Sequence, residues 1–210
     1  MIDKLKISMN RQMVPFSLFI LCFGCGTPDL TQSHILEKAK KQAIPLESLD
    51  RKRMFGMIML FVDADNEPFT GWAKTEENGT VYELGYLSKG QKQGAWLKWY
   101  SKGDRKSQIH WKDDFMSGPF LVWHRSGRIK VVGQTRDGEV DGEWKEYYEN
   151  GQLEAHSKNL LGTLEWIRVF LIDGRECNRS KVLMGNGQFI DFDSNGTELR
   201  TRRFKKGIEI

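Results

Sequence analysis

A two-residue signal ending in glycine returns along this chain on a nearly fixed beat, and it constrains the fold more than any other feature. Asn78-Gly79, Lys102-Gly103, Ser126-Gly127 and Asn150-Gly151 follow one another at 24-residue intervals; Asp173-Gly174 comes 23 later and Asn195-Gly196 a further 22. Glycine, and less readily Asn or Asp, reaches positive φ without steric cost, so each dipeptide marks a hairpin tip. A second set, at Gly90, Asp114, Gly138, Gly162, Gly185 and Gly207, alternates with the first and turns the chain back. Strands of about six to eight residues remain between turns, close to the usual strand length. The spacing predicts an all-β fold: an elongated, single-layer antiparallel meander of about six tandem β-hairpin repeats, 22–24 residues each.

Aromatic residues are locked to the same beat. Gly71-Trp72, Gly94-Ala95-Trp96, Gly118-Pro119-Phe120 and Gly142-Glu143-Trp144 open successive rising strands, followed by a column at Trp99, Trp123 and Tyr147 and another at Tyr100, His124 and Tyr148. Because side chains alternate across a strand, Trp96, Phe120 and Trp144 belong to one face, and Trp99, Trp123 and Tyr147 to the other. A single-layer sheet draws cohesion from cross-strand aromatic pairs, each contributing about 0.2–1 kcal/mol, which accounts for the first column. The other two columns, Trp99, Trp123, Tyr147, Tyr100, His124 and Tyr148, form the candidate binding surface. Lys98, Lys102, Arg125 and Lys145 flank it and suit acidic protein or acidic lipid head groups.

Outside the array the texture changes. Lys4, Lys6 and Arg11 precede an apolar run from Met13 to Phe23, too short to span a bilayer comfortably, so residues 1–25 read as an export signal. Its end, Leu21-Cys22-Phe23-Gly24-Cys25, resembles the lipobox of bacterial lipoproteins, which makes Cys25 the expected lipid anchor. The same run also fits an ordinary cleaved signal or an uncleaved anchor. Residues 26–53 are a polar linker with an amphipathic patch from Ser33 to Ala43 that suits a short helix or a tether. The apolar run Met54–Val62 reads as a buried strand opening an array that occupies 54–210, with a degenerate stretch between 160 and 185.

The segments Gly94-Ala95-Trp96-Leu97-Lys98-Trp99-Tyr100-Ser101-Lys102-Gly103 and Asp141-Gly142-Glu143-Trp144-Lys145-Glu146-Tyr147-Tyr148-Glu149-Asn150-Gly151-Gln152-Leu153 resemble the bacterial variant of the MORN repeat. Upstream, Pro68-Phe69-Thr70-Gly71-Trp72 resembles the opening of the YwqK-like antitoxins of toxin–antitoxin systems. The resemblance implies an elongated, twisted antiparallel sheet that associates with protein or lipid without catalysis.

No pattern supplies catalytic chemistry. The four histidines, His34, His110, His124 and His156, occupy different places in the repeat register, and His124 stands where Tyr100 and Tyr148 stand in neighbouring repeats. Asp191-Phe192-Asp193-Ser194-Asn195-Gly196 opens like a calcium loop, but its twelfth position is Arg202, which cannot ligate. With Cys25 modified and Cys22 removed, Cys177 is left alone, so cysteine builds neither a disulfide framework nor a metal site. No cofactor, metal or catalytic residue is expected. A formal charge of +4 is too small an excess to predict nucleic-acid binding. The function expected is a non-catalytic protein-binding or scaffold module, exported and membrane-anchored at the periplasm or cell exterior. The alternatives are an antitoxin or immunity-type protein and a carbohydrate- or headgroup-binding envelope protein. Open sheet edges add the prospect of self-association.

Overall fold

The computed structural model describes residues 28–54, 58–193 and 195–210. The segment expected to be an export signal, with Cys25, lies outside the described residues. Helix α1 (Ser33–Gln42) leads into β1 (Ile44–Pro45), and a hairpin of β2 (Asp50–Met54) and β3 (Ile58–Val62) follows. The meander then runs through β4 (Gly71–Glu77), β5 (Thr80–Ser88), β6 (Gln91–Trp99), β7 (Arg105–Lys112), β8 (Phe115–Trp123) and β9 (Ile129–Arg136). It continues through β10 (Glu139–Val140), β11 (Gly142–Tyr147), β12 (Leu153–Leu160), β13 (Thr163–Phe170), β14 (Glu176–Leu183), β15 (Asn186–Phe192), β16 (Glu198–Lys205) and β17 (Ile208–Glu209). Among the described residues fifteen strands form one sheet that follows chain order with two departures: β1 pairs parallel to β4, and β9 pairs with both the short β10 and β11. The expected meander is therefore the fold.

Two expectations need correction. The apolar run 54–62 does not open the array: Ile58–Val62 pairs with Asp50–Met54 in a separate two-stranded sheet, and the meander begins at Gly71. The run is apolar because Phe61 packs on the sheet beside Leu49, Ala73, Leu87 and Trp96. The two sets of turns also differ. At Lys102, Ser126, Asn150 and Asp173 only the following glycine has positive φ. These are three-residue turns: Gly103 N–H donates to Tyr100 O and Tyr100 N–H to Asp104 O, both at 2.9 Å. The paired positive φ angles of a two-residue primed turn occur instead at Asn78-Gly79 and throughout the second set, Leu161-Gly162 and Met184-Gly185 included.

The hairpins closed by Asn78-Gly79 and by the next three turns of the first set each leave one residue unpaired at the same repeat position: Tyr82, Lys106, Lys130 and Glu154. Bulges strengthen local twist, so a feature repeated every 24 residues coils the whole sheet. Further links join each repeat to the last. The second residue of each primed turn in the second set donates its N–H backwards, Asp114 to Lys92 O at 3.2 Å, Gly138 to Met116 O at 2.9 Å and Gly162 to Val140 O at 2.8 Å.

The register defines two faces. Face A carries Trp96 opposite Ile109, Ile109 opposite Phe120 and Phe120 opposite Gly133; it then passes from Trp144 to Ser157, Ile167 and Val182. Face B carries the row Leu84, Leu97, Gln108, Leu121, Val132, Lys145, His156, Arg168 and Lys181. At the N-terminal end both faces are covered. Leu49 and Phe61 close over Trp96 on face A, while Leu30, Ala39 and Ala43 close over Leu84, Leu97 and Trp99 on face B.

At the C-terminal end face A closes on itself. Strands 160–185 look degenerate because aliphatic residues replace the aromatic column, yet Leu164, Ile167, Val169 and Val182 join Phe189, Ile190 and Phe192 in one buried cluster. A cavity of about 150 Å³ touches Glu146 of β11 and Arg200 and Arg202 of β16. Those strands lie five positions apart, which would be about 24 Å in a flat sheet, so the curl is strong.

The aromatic column on face A is a packing device. Trp144 lies 4.9 Å from Phe120, ring centre to ring centre, and its ring covers Gly133, where an added Cβ would sit 2.2 Å from the indole. Gly133→Ala is compatible with the backbone, so its cost reports the ring contact alone. We expect it to lower stability by about 1–3 kcal/mol in chemical denaturation. An unchanged midpoint would show that Trp144 does not pack there.

Candidate binding surface

The six turn glycines, Gly79, Gly103, Gly127, Gly151, Gly174 and Gly196, all have φ between 76° and 91°. They hold the tips in place and leave the adjoining side chains at one end of the sheet. Those side chains form a ladder between repeats. Tyr100 Oη donates to Trp123 O at 2.8 Å, and Tyr148 Oη donates to Phe170 O at 2.9 Å. Between them His124 Nε2 lies 2.7 Å from Tyr147 O; a carbonyl only accepts, so that nitrogen carries the hydrogen. His124 thus does the work of a tyrosine. Tyr148 is 2% exposed, and burial, reinforced by Glu154 and other nearby acids, pushes its hydroxyl up to about 12. Tyr100, His124 and Tyr148 are accordingly cohesion residues, and Tyr148 is inaccessible to a partner.

The column Trp99, Trp123 and Tyr147 lies on face B and divides differently. Trp99 is 9% exposed beneath α1, with Lys40 Nζ 5.6 Å from its ring centre. It is part of the core. Trp123 and Tyr147 are half-buried and uncovered by the helix. The register places Ile129 directly opposite Trp123, Val132 opposite Leu121 and Leu153 opposite Tyr147. These aliphatic residues widen the aromatic column into a stripe. Sequence periodicity missed them because the bulges at Lys130 and Glu154 break strict alternation between the turn and the strand.

The flanking basic residues are partly engaged. Lys98 pairs with Glu83 at 3.4 Å, and the Arg125 guanidinium sits 4.7 Å from the Tyr100 ring centre. Lys145 stands in the face B row between Val132 and His156. His156 pairs with Glu143 and meets Trp166 edge-on at 4.9 Å. His110 lies four strands away in β7, where burial lowers its pKa and Asp29 opposes that shift. The structure therefore does not bring His110, His124 and His156 together. The Asp193 carboxylate accepts the N–H groups of Asn195 and Thr197 at 2.8 Å, and Asp191 pairs with Arg200 at 2.6 Å, so both serve the hairpin. Among the described residues no cluster of His, Cys, Asp and Glu is arranged to hold a metal ion, and no helix is long and apolar enough to cross a membrane.

These contacts describe an array whose repeated residues link one hairpin to the next and whose exposed stripe has the character of a binding surface. Residues 140–158, comprising β11, its turn and most of β12, match the MORN repeat variant, so the chain contains a MORN repeat. Among curated proteins none matches the chain.

Two measurements test the site's electrostatics and its ladder. His124→Tyr should keep the thermal midpoint, whereas His124→Phe and Tyr148→Phe should each cost about 1–2 kcal/mol by leaving a carbonyl unpaired. Equal midpoints for His124→Tyr and His124→Phe would remove the ladder. At the face A cavity, burial and then the charge of Glu146 push the Glu154 carboxyl up to about 7, with Lys130 opposing and Asp191 adding to the shift. The folded state holds this proton more tightly than the unfolded chain does. Its contribution to stability is complete below the ordinary value of 4.5 and is lost as pH rises through about 7. Melting should accordingly occur at lower temperature near pH 8 than near pH 5, and Glu154→Gln should flatten that slope, gaining on the order of 1 kcal/mol at the higher pH after solvent screening. A slope unchanged by the substitution would assign the pH dependence to other groups.

Proposed function

We propose that the protein is a non-catalytic protein-binding module tethered outside the cytoplasm by a lipid on Cys25. The observation that carries this reading is the face B stripe. Trp123, Ile129, Val132 and Tyr147 are only half-buried and lie side by side, whereas Trp96, Trp99, Phe120, Trp144, Tyr100 and Tyr148 are committed to packing or to inter-repeat hydrogen bonds. Contiguous apolar surface left partly open to solvent favours association. MORN repeats generally serve as protein- or membrane-binding modules, in agreement with this reading. An antitoxin-type role is a special case of it, in which the protein bound is one to be neutralised.

The tether follows from the basic and apolar run that ends at Cys25. Leu30 is fully buried in the cluster beneath α1. A lipid five residues earlier would hold this end of the sheet within about 18 Å of the bilayer, the reach of five extended residues.

Two results are expected in intact cells. A clickable fatty acid should label the wild-type chain and not Cys25→Ala. A photo-cross-linker at Trp123 should give a discrete protein adduct that the same cross-linker at exposed Lys112 does not. Labelling independent of Cys25 would remove the tether, and no adduct from any position on either face would remove the binding reading.

A further inference from the structure

Helix α1 shows what face B accepts. Through Ile35, Leu36 and Ala39, with Ala43 just past its end, it packs in one cluster with Trp72 of β4, Val81 and Leu84 of β5 and Leu97 and Trp99 of β6, the last four of which lie on the repeat beat. Moving along the array by two 24-residue repeats carries those four positions to Ile129, Val132, Lys145 and Tyr147. The register adds Leu121 opposite Val132 and Trp123 opposite Ile129, so an apolar strip continues across β8, β9 and β11. No second helix of the described chain lies over it.

We infer that this strip is the docking groove for an amphipathic α-helix of a partner protein, its aliphatic face on Leu121, Trp123, Ile129, Val132 and Tyr147 and its acidic flank against Lys145. The inference rests on the protein-binding reading above and gives the partner a shape and a charge. Three observations select this occupant. The strip lies in the interior of the sheet, where backbone groups are already paired to both neighbours, so it cannot take an added strand. It continues a seat that a helix of this chain already occupies. Beyond Lys145 the same row runs through His156, paired to Glu143, and Arg168, paired to Glu176 at 2.7 Å, to Lys181, so Lys145 and Lys181 supply the positive charge of this margin, whereas α1's own seat begins with Lys74 paired to Glu76 at 2.6 Å. A bilayer would instead favour protruding apolar tips, and these lie elsewhere, at Leu161 and at Met184, which is 92% exposed.

The probe is a synthetic stapled helix with Leu and Ala along one face and Glu on its flanks, titrated against the full chain. Its scrambled, non-amphipathic isomer and anionic phospholipid vesicles are tested in parallel. The amphipathic helix alone should bind, with affinity falling at least about tenfold for Trp123→Ala and for Lys145→Glu, and unaffected by Met184→Glu. A helix with the same apolar face and Lys on its flanks should recover binding to Lys145→Glu, a gain that a misfolded variant could not show. Equal binding of helix and scrambled isomer, or no binding of either while Trp123 still cross-links to protein in cells, overturns the helix groove and leaves the protein-binding reading standing. Vesicle binding abolished by Trp123→Ala without helix binding overturns it in favour of a membrane surface. Loss of the cellular cross-links as well removes the underlying reading.

Discussion

A sheet one layer thick has no opposing layer to cover its apolar face, and the structure answers that constraint through links between successive hairpins. At one end Tyr100, His124 and Tyr148 each reach a backbone carbonyl in the next repeat. At the other end the primed turns donate their second N–H group back into the preceding repeat. Bulges at a constant repeat position, Tyr82, Lys106, Lys130 and Glu154, add twist between them. Coiling then brings distant strands together, and face A of the C-terminal half buries itself without a second layer.

The two faces consequently do different things. Face A is continuous packing, aromatic at Trp96, Phe120 and Trp144 and aliphatic from Ile167 to Val182. Face B is graded along the array: covered by α1 at Leu84, Leu97 and Trp99, half-buried and apolar around Trp123 and Ile129, and basic at Lys145 and Lys181, with Arg168 between them paired to Glu176. A regular scaffold thus carries a face whose equivalent positions differ in cover and charge.

Much of the fold was legible because turns are local chemistry. The two alternating sets of turn signals located the hairpins of the meander, though not the separate Asp50–Val62 hairpin, and His124 was recognisable as a stand-in for tyrosine from its repeat position, later matched by its bond to Tyr147 O. The candidate binding surface was only half legible. Trp123 and Tyr147 were identified from their spacing, but Trp99 in the same column is core, and the aliphatic positions Ile129, Val132 and Leu153, which fall on the 24-residue beat beside non-aliphatic residues such as Arg105 and His156, were passed over. The turn types were misread for a related reason. Lys102 and Asn150 look like the first residue of a primed turn, yet a three-residue loop needs positive φ only at its glycine.

By itself the sequence determined the repeat length and the sites of reversal, since each depends on interactions between positions a fixed distance apart; that Tyr100, His124 and Tyr148, expected as binding surface, link neighbouring hairpins instead was shown by the structure. Only the tertiary structure decided which equivalent aromatic residues are buried and which are open. That outcome depends on elements outside the beat: α1 over Trp99, the Asp50–Val62 hairpin over Trp96, and the accumulated curl that closes face A at Ile167 and Phe189. Burial is set by what lies across space, and a periodic sequence specifies its neighbours without specifying its covers.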